Sequence, residues 1–159
     1  MHIKEDTNLH SFLKVLLTAK LCPMPLTYND DQRRAYLAFI DRIGMGWVKV
    51  FDGDTDFYSA AYWDLFTYLW RNKTPQRKTD AMSSITGVKS PLTASKYIDT
   101  ALGRELIIEK DNPSDARSKL LALSSPMRAQ MDAFFDDAVD EMRKSASGMS
   151  ALGPTPDGK

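Results

Sequence analysis

Residues 82–119 constrain the fold more tightly than any other part of this 159-residue chain. They read as a short helix, a turn, a second helix, and a two-stranded hairpin with a charged tip. The second helix covers about 91–104, with Pro91 in its first turn and Ile98, Ala101 and Leu102 spaced to face a core. The hairpin takes Leu106, Ile107 and Ile108 along one strand and Leu120, Leu121 and Leu123 along the other. Between them run Asp111, Asn112, Pro113, Ser114, Asp115, Ala116 and Arg117.

Charge sharpens this pattern. Lys plus Arg and Asp plus Glu each total 21, so the net charge is zero and gives no support to bulk, sequence-independent binding of nucleic acid. Residues 71–96, however, carry Arg71, Lys73, Arg77, Lys78, Lys89 and Lys96 against Asp80 alone, a net +5. Residues 1–70 and 120–144 each come to −2. Positive charge is thus concentrated where the helix-turn-helix begins, as phosphate contacts require. A helix-turn-helix followed by a charged hairpin is the layout of a winged DNA reader.

The flanking sequence supplies helices on both sides. Leu9, Phe12, Leu13, Leu16, Leu17 and Leu21 follow helical spacing, and Pro23 and Pro25 stop that helix. Asn29 opens a long helix with Tyr36, Leu37, Phe39, Ile40, Ile43 and Trp47 on its apolar side, and Gly44 and Gly46 are read as points of bending. Residues 55–70 are apolar nearly all round and predict a helix at the centre of the fold. A short helix over 78–85 begins the reading unit. Ser125 as N-cap and Pro126 as first helical residue start a C-terminal helix, with Met127, Met131, Phe134, Phe135, Ala138, Val139 and Met142 on one stripe. The chain divides into an N-terminal helix and Pro-rich break (1–28), a mainly α domain with a small β-hairpin wing (29–145, reading unit about 77–123), and a disordered tail (146–159).

Three pieces in order resemble the MarR family of winged helix-turn-helix regulators, over about residues 29–145. The first is Ile85-Thr86-Gly87-Val88-Lys89-Ser90-Pro91-Leu92-Thr93-Ala94-Ser95-Lys96-Tyr97-Ile98, similar to the family's turn and recognition helix. The second runs from Leu106 through the Asp115-Ala116-Arg117 tip, similar to its strand and wing. The third is Leu123-Ser124 leading into a long helix. Lys96 stands where arginine is usual, and Glu105 where glycine often precedes the first strand. The resemblance implies a homodimer interlocked through N- and C-terminal helices, reading a pseudo-palindromic double-stranded DNA operator. It assigns Thr93, Ser95 and Lys96 to bases and phosphates, Lys89 and Ser90 to the backbone, and Arg117 to the minor groove. Lys119 joins this set, and Asp115 would hold the wing by pairing with Arg117 or nearby backbone amides.

The resemblance also implies a cavity for a small aromatic or acidic effector, with Tyr58, Tyr62 and Trp63 as candidates; an aromatic core is the plainer reading of that cluster. Cys22, the single cysteine, reads as a passive thiol suited to a reducing cytoplasm. His2 and His10 have no metal-ligand spacing, and no cofactor is expected. Lys4, Glu5 and Asp6 break any secretory pattern, and no apolar run is long enough to span a membrane. An enzyme is not expected, because no nucleophile–base pair, phosphate-binding glycine loop or paired-ligand motif is present. The rival reading is a winged-helix protein-interaction module without DNA readout.

Overall fold

The computed structural model describes residues 26–153. The expected first helix, with Cys22, His2 and His10, lies outside the described residues. Helix α1 (Asp30–Val50) opens on a capping box: Asn29 Oδ1 accepts from Gln32 N at 2.9 Å, and Gln32 Oε1 accepts from Asn29 N at 3.1 Å. The helix is unbroken through Gly44 and Gly46, the positions read as points of bending. At Gly46 the reason for glycine is a neighbour, since a Cβ there would lie 3.1 Å from the Phe134 ring.

Asp52 and Gly53, with φ of 50° and 85°, turn the chain out of α1. Asp54 then caps a 3-10 turn, Thr55–Phe57, through the amide of Asp56. That separate cap is why helix α2 (Ala60–Arg71) starts later than its apolar sequence implies. Helix α2 is the centre of the core, with Leu65 and Phe66 fully buried. Trp47 of α1 meets Trp63 and Phe134 edge-on, at 4.9 and 5.6 Å between ring centres.

Next come β1 (Gln76–Arg77), α3 (Lys78–Ser83), α4 (Pro91–Gly103), β2 (Ile107–Asp111) and β3 (Lys119–Leu123). The hairpin pairs Ile107 with Leu123 and Asp111 with Lys119. Strand β1 adds to the other side of β3, Gln76 opposite Leu121, giving an antiparallel sheet in the order β1-β3-β2. The core is closed by Ile98 of α4, Ile107 and Leu121 of the sheet, and Met127 and Met131 of the last helix.

That helix, α5 (Ser125–Ala151), is capped one residue earlier than expected: Ser124 Oγ accepts from Met127 N, and Ser125 and Pro126 fill the first two helical positions. It continues to Ala151, so residues 146–151 are helical and not part of a disordered tail. The cause is tertiary. Asn29 Nδ2 donates at 2.9 Å to Leu152 O, a carbonyl that a helix end leaves unpaired, and Gln32 Nε2 donates at 3.3 Å to Met149 O, which also accepts from Leu152 N. Helices α1 and α5 thus lie antiparallel from Asn29–Leu152, through an Arg42–Glu141 ion pair, to Gly46–Phe134. The apolar side of α1 is divided: Trp47 is in the core, while Tyr36, Leu37 and Ile40 are 52%, 60% and 42% exposed. Val139 and Met142 of α5 are equally uncovered. Among the described residues, no helix is long and apolar enough to cross a membrane, and no cluster of three His, Cys, Asp or Glu side chains is placed to hold a metal.

Candidate nucleic-acid interface

The two faces of α4 are separated by the helical repeat. Ala94, Ile98 and Ala101 are buried at i, i+4 and i+7. At 100° per residue, the opposite ridge is Leu92, Lys96 and Asp99, again i, i+4 and i+7, and all three are exposed. Thr93 flanks this ridge on one side and is exposed; Ser95 lies on the other, half-buried. Ser95 is engaged within the fold, its hydroxyl donating to Asp99 Oδ2 at 3.1 Å. Lys78 Nζ donates to Asp99 Oδ1 at 2.8 Å and so ties the start of α3 to the middle of α4. These contacts, Lys78 foremost, hold the Asp99 carboxyl below the usual carboxylate range.

The turn before α4 presents Lys89 and Ser90, both exposed. Ser90 is the N-cap residue, yet its side chain makes no cap hydrogen bond and its hydroxyl points to no partner among the described residues. The turn is fastened to α2 by Asp64, whose Oδ2 accepts from Thr86 N at 2.9 Å and Thr86 Oγ1 at 2.7 Å. Nothing local in the sequence announces this contact, because its partners are 22 residues apart.

Helix α4 ends in a Schellman motif: Leu106 N donates to Ala101 O and Glu105 N to Leu102 O, both at 3.0 Å. Glu105 takes the left-handed position at φ 56°, where glycine fits without strain. One residue earlier, Arg104 pairs with Asp54 at 3.3 Å and Asp56 at 3.7 Å, and its guanidinium lies 6.0 Å from the Phe57 ring centre.

The wing is shaped by two side chains that imitate backbone turns. Asn112 is buried, accepting from Ser114 N at 3.0 Å and donating to Ser118 Oγ at 2.8 Å. Asp115 Oδ1 accepts from Arg117 N at 3.0 Å, so Asp115 holds the backbone of Arg117. The Arg117 side chain is exposed and has no ion-pair partner among the described residues. Lys119 is paired with Asp111 across the strands, which raises the lysine above its ordinary range and lowers the aspartate. Lys119 is therefore a brace at the base of the wing. Lys89, Ser90, Thr93, Lys96 and Arg117 are exposed, and their side chains have no partner among the described residues, whereas Ser95, Asp115 and Lys119 have internal partners. Leu92, Asp99 and Asn112 were not singled out from the sequence; the outward phase of α4 would have found the first two.

Tyr58, Tyr62 and Trp63 do not converge on one cavity. Tyr62 is in the core, stacked on Phe66 and edge-on to Tyr97, and burial pushes its phenol above the usual range. The Tyr58 hydroxyl faces Val48 O at 3.4 Å. Trp63 packs on Trp47 and is 36% exposed. A groove of about 370 Å³ lies instead between α1 and α5, lined by Arg42, Ile43, Lys49, Phe134, Asp137 and Glu141 among others.

No sequence family and no curated protein matches this chain. Solved structures do. RV1404 from Mycobacterium tuberculosis superposes with a TM-score of 0.56 at 19% identity, covering 91% of this chain and 83% of that one. The S. aureus MepR–DNA complex gives 0.54 at 17% identity, covering 75% and 90%. The MarR family transcription regulator SP03579 gives 0.50 at 12% identity, covering 92% and 85%. With its helix-turn-helix, its wing and its long flanking helices, this chain has the winged helix-turn-helix fold of MarR-type transcription regulators.

Proposed function

We propose that this protein is a sequence-specific, double-stranded-DNA-binding transcriptional regulator that acts as a homodimer. The observation that carries the reading is the outward side of α4. Thr93 and Lys96 on it, and Lys89 and Ser90 in the turn before it, are exposed with no side-chain partner among the described residues, and the same sheet that anchors α4 presents Arg117 on the wing. The solution of MepR, a protein of the same fold, as a DNA complex supports it. In this reading α4 lies in the major groove and Arg117 reaches the neighbouring backbone or minor groove.

The dimer rests on the uncovered stripe of Tyr36, Leu37, Ile40, Val139 and Met142 along the α1–α5 pair, apolar surface that a lone chain leaves in water. Two reading heads held by that stripe would meet half-sites roughly 10 base pairs apart, centre to centre. Effector control is the finer part of the proposal. An acidic aromatic ligand would fit the α1–α5 groove, where Lys49 has no ion-pair partner among the described residues and Phe134 offers a ring. A ligand favouring one α1–α5 arrangement would alter the half-site spacing.

Selection of bound fragments from random duplex DNA tests the reading directly. A pseudo-palindromic site is expected, with affinity falling steeply as salt rises. Lys96→Ala and Arg117→Ala should each weaken that site, and each loss of a phosphate contact should flatten the salt slope by roughly 1. Sedimentation should still report a dimer. Failure to recover any site, with salt-insensitive capture of a protein instead, would favour an interaction module.

A further inference from the structure

We propose that Leu92 reads the 5-methyl group of a thymine in the major groove, an apolar specificity contact beside the polar ones. The inference rests on the DNA-binding reading above and adds the class of base that α4 selects. Leu92 is 71% exposed, more than any other large apolar side chain on α4 or the wing. It does not belong to the uncovered stripe of the α1–α5 pair, which Tyr36, Leu37, Ile40, Val139 and Met142 account for. It lies instead on the ridge directly opposite the buried Ala94–Ile98–Ala101 side, one turn before Lys96.

Position and charge choose the occupant. Leu92 is in the first turn of the second helix of a helix-turn-helix, the part that approaches base edges when such a helix enters the major groove. Lys89 on one side and Lys96 on the other are both exposed and have no ion-pair partner among the described residues, so the surroundings suit a polyanion. They do not suit an apolar protein surface or a membrane interior. Within the major groove, the one apolar group that base pairs display is the thymine methyl. A branched aliphatic side chain meeting it removes apolar surface of both from water, and contributes discrimination without a hydrogen bond. Thr93 and Lys96 alongside supply the polar contacts that fix the register.

Deoxyuridine differs from thymidine by that methyl alone, which makes the test specific. Once a bound duplex is selected, each thymine is replaced in turn by deoxyuridine, and affinities are measured by fluorescence anisotropy. At one thymine position per half-site, the parent should lose about fourfold for each half-site replaced, the effect of one buried methyl-sized group. Leu92→Ala should bind the thymine duplex more weakly and show no loss on that replacement, while Leu92→Met should keep most of the sensitivity. Because Leu92 is exposed, both variants should melt with the parent. If no replacement weakens the parent, or if Leu92→Ala remains as sensitive as the parent, the assignment is overturned while DNA binding stands. Recovery of no duplex at all would overturn both readings together.

Discussion

Replacing Glu105 by glycine should stabilise the protein, and the size of the effect follows from the end of α4. Glu105 occupies the left-handed position of the Schellman motif at φ 56°. A residue with a Cβ is disfavoured there by about 1–2 kcal/mol relative to glycine. Glycine returns roughly 0.5–1 kcal/mol of this through the greater freedom of the unfolded chain. The Glu105 side chain is exposed and makes no hydrogen bond or ion pair among the described residues, so little else is lost with it. The net gain is about 0.5–1 kcal/mol, which for a chain of this length raises the melting temperature by roughly 1–4 °C. A second contribution needs separating, because an acidic side chain at a helix C-terminus opposes the helix dipole by about 0.3–1 kcal/mol. Glu105→Ala removes that charge and keeps the Cβ. Urea unfolding of both variants at matched protein concentration isolates the backbone effect as the difference between them. Glycine should exceed alanine by about 0.5–1 kcal/mol with an unchanged urea slope. Equal stability of Glu105→Gly and Glu105→Ala would refute the strain argument.

Three further outcomes are expected. Asp64→Ala removes both hydrogen bonds to Thr86 and should lower stability by about 1–2 kcal/mol; amide exchange at Thr86 should accelerate, and unchanged exchange would show that the turn is held otherwise. The Asp99 carboxylate is lowered chiefly by Lys78, so the folded state holds its proton less tightly than the unfolded chain does. Its contribution is present above the ordinary carboxylate range and is lost as pH falls through the lower folded value. Parent and Asp99→Asn should therefore differ in thermal midpoint at neutral pH and converge in acid. Gly44→Ala, where a Cβ meets nothing within 4 Å, should raise stability by about 0.5–1 kcal/mol. Gly46→Ala should gain less or lose, since its Cβ would press on Phe134.

Much of the fold was legible because its signals are local. Asn29 at the start of a long helix, Pro91 in a first turn, and the apolar runs on either side of the wing tip each announce an element within a few residues. The central burial of α2 was legible too, since a helix apolar all round has nowhere else to go. What escaped depends on distant partners. Strand β1 is two residues long and exists because β3 offers it an edge. The last turns of α5 look unstructured in a Ser-, Gly- and Ala-rich sequence, and become helical by docking on Asn29 and Gln32. The exposed half of α1 carries large apolar residues on the same helical side as its buried half; the length of the α1–α5 pair beyond the core distinguishes them.

The candidate interface divides in the same way. Lys89, Thr93, Lys96 and Arg117 were legible as a basic, polar helix start and a charged tip. That Ser95 is turned toward Asp99, and Lys119 toward Asp111, depends on side-chain geometry across a helix turn and across two strands. For the aromatic trio two readings stood open, because aromatic content alone does not distinguish a packed centre from a lined cavity, and Tyr62 fits the plainer one, the core. Tyr62 is surrounded by Phe57, Phe66 and Tyr97, which leave it no open face.

The pairing of Arg104 with Asp54 and Asp56 ties the C-terminal end of α4 to the loop that leaves α1. The opposite end, carrying Leu92 and Thr93, lies a helix length away. Thirteen residues at 1.5 Å each span about 20 Å. A tilt of about 10° at the Arg104 end therefore sweeps the opposite end through about 3 Å, comparable to one hydrogen-bond length. In the DNA-binding reading proposed above, a displacement that small is enough to move a side chain from one base edge to the gap beside it.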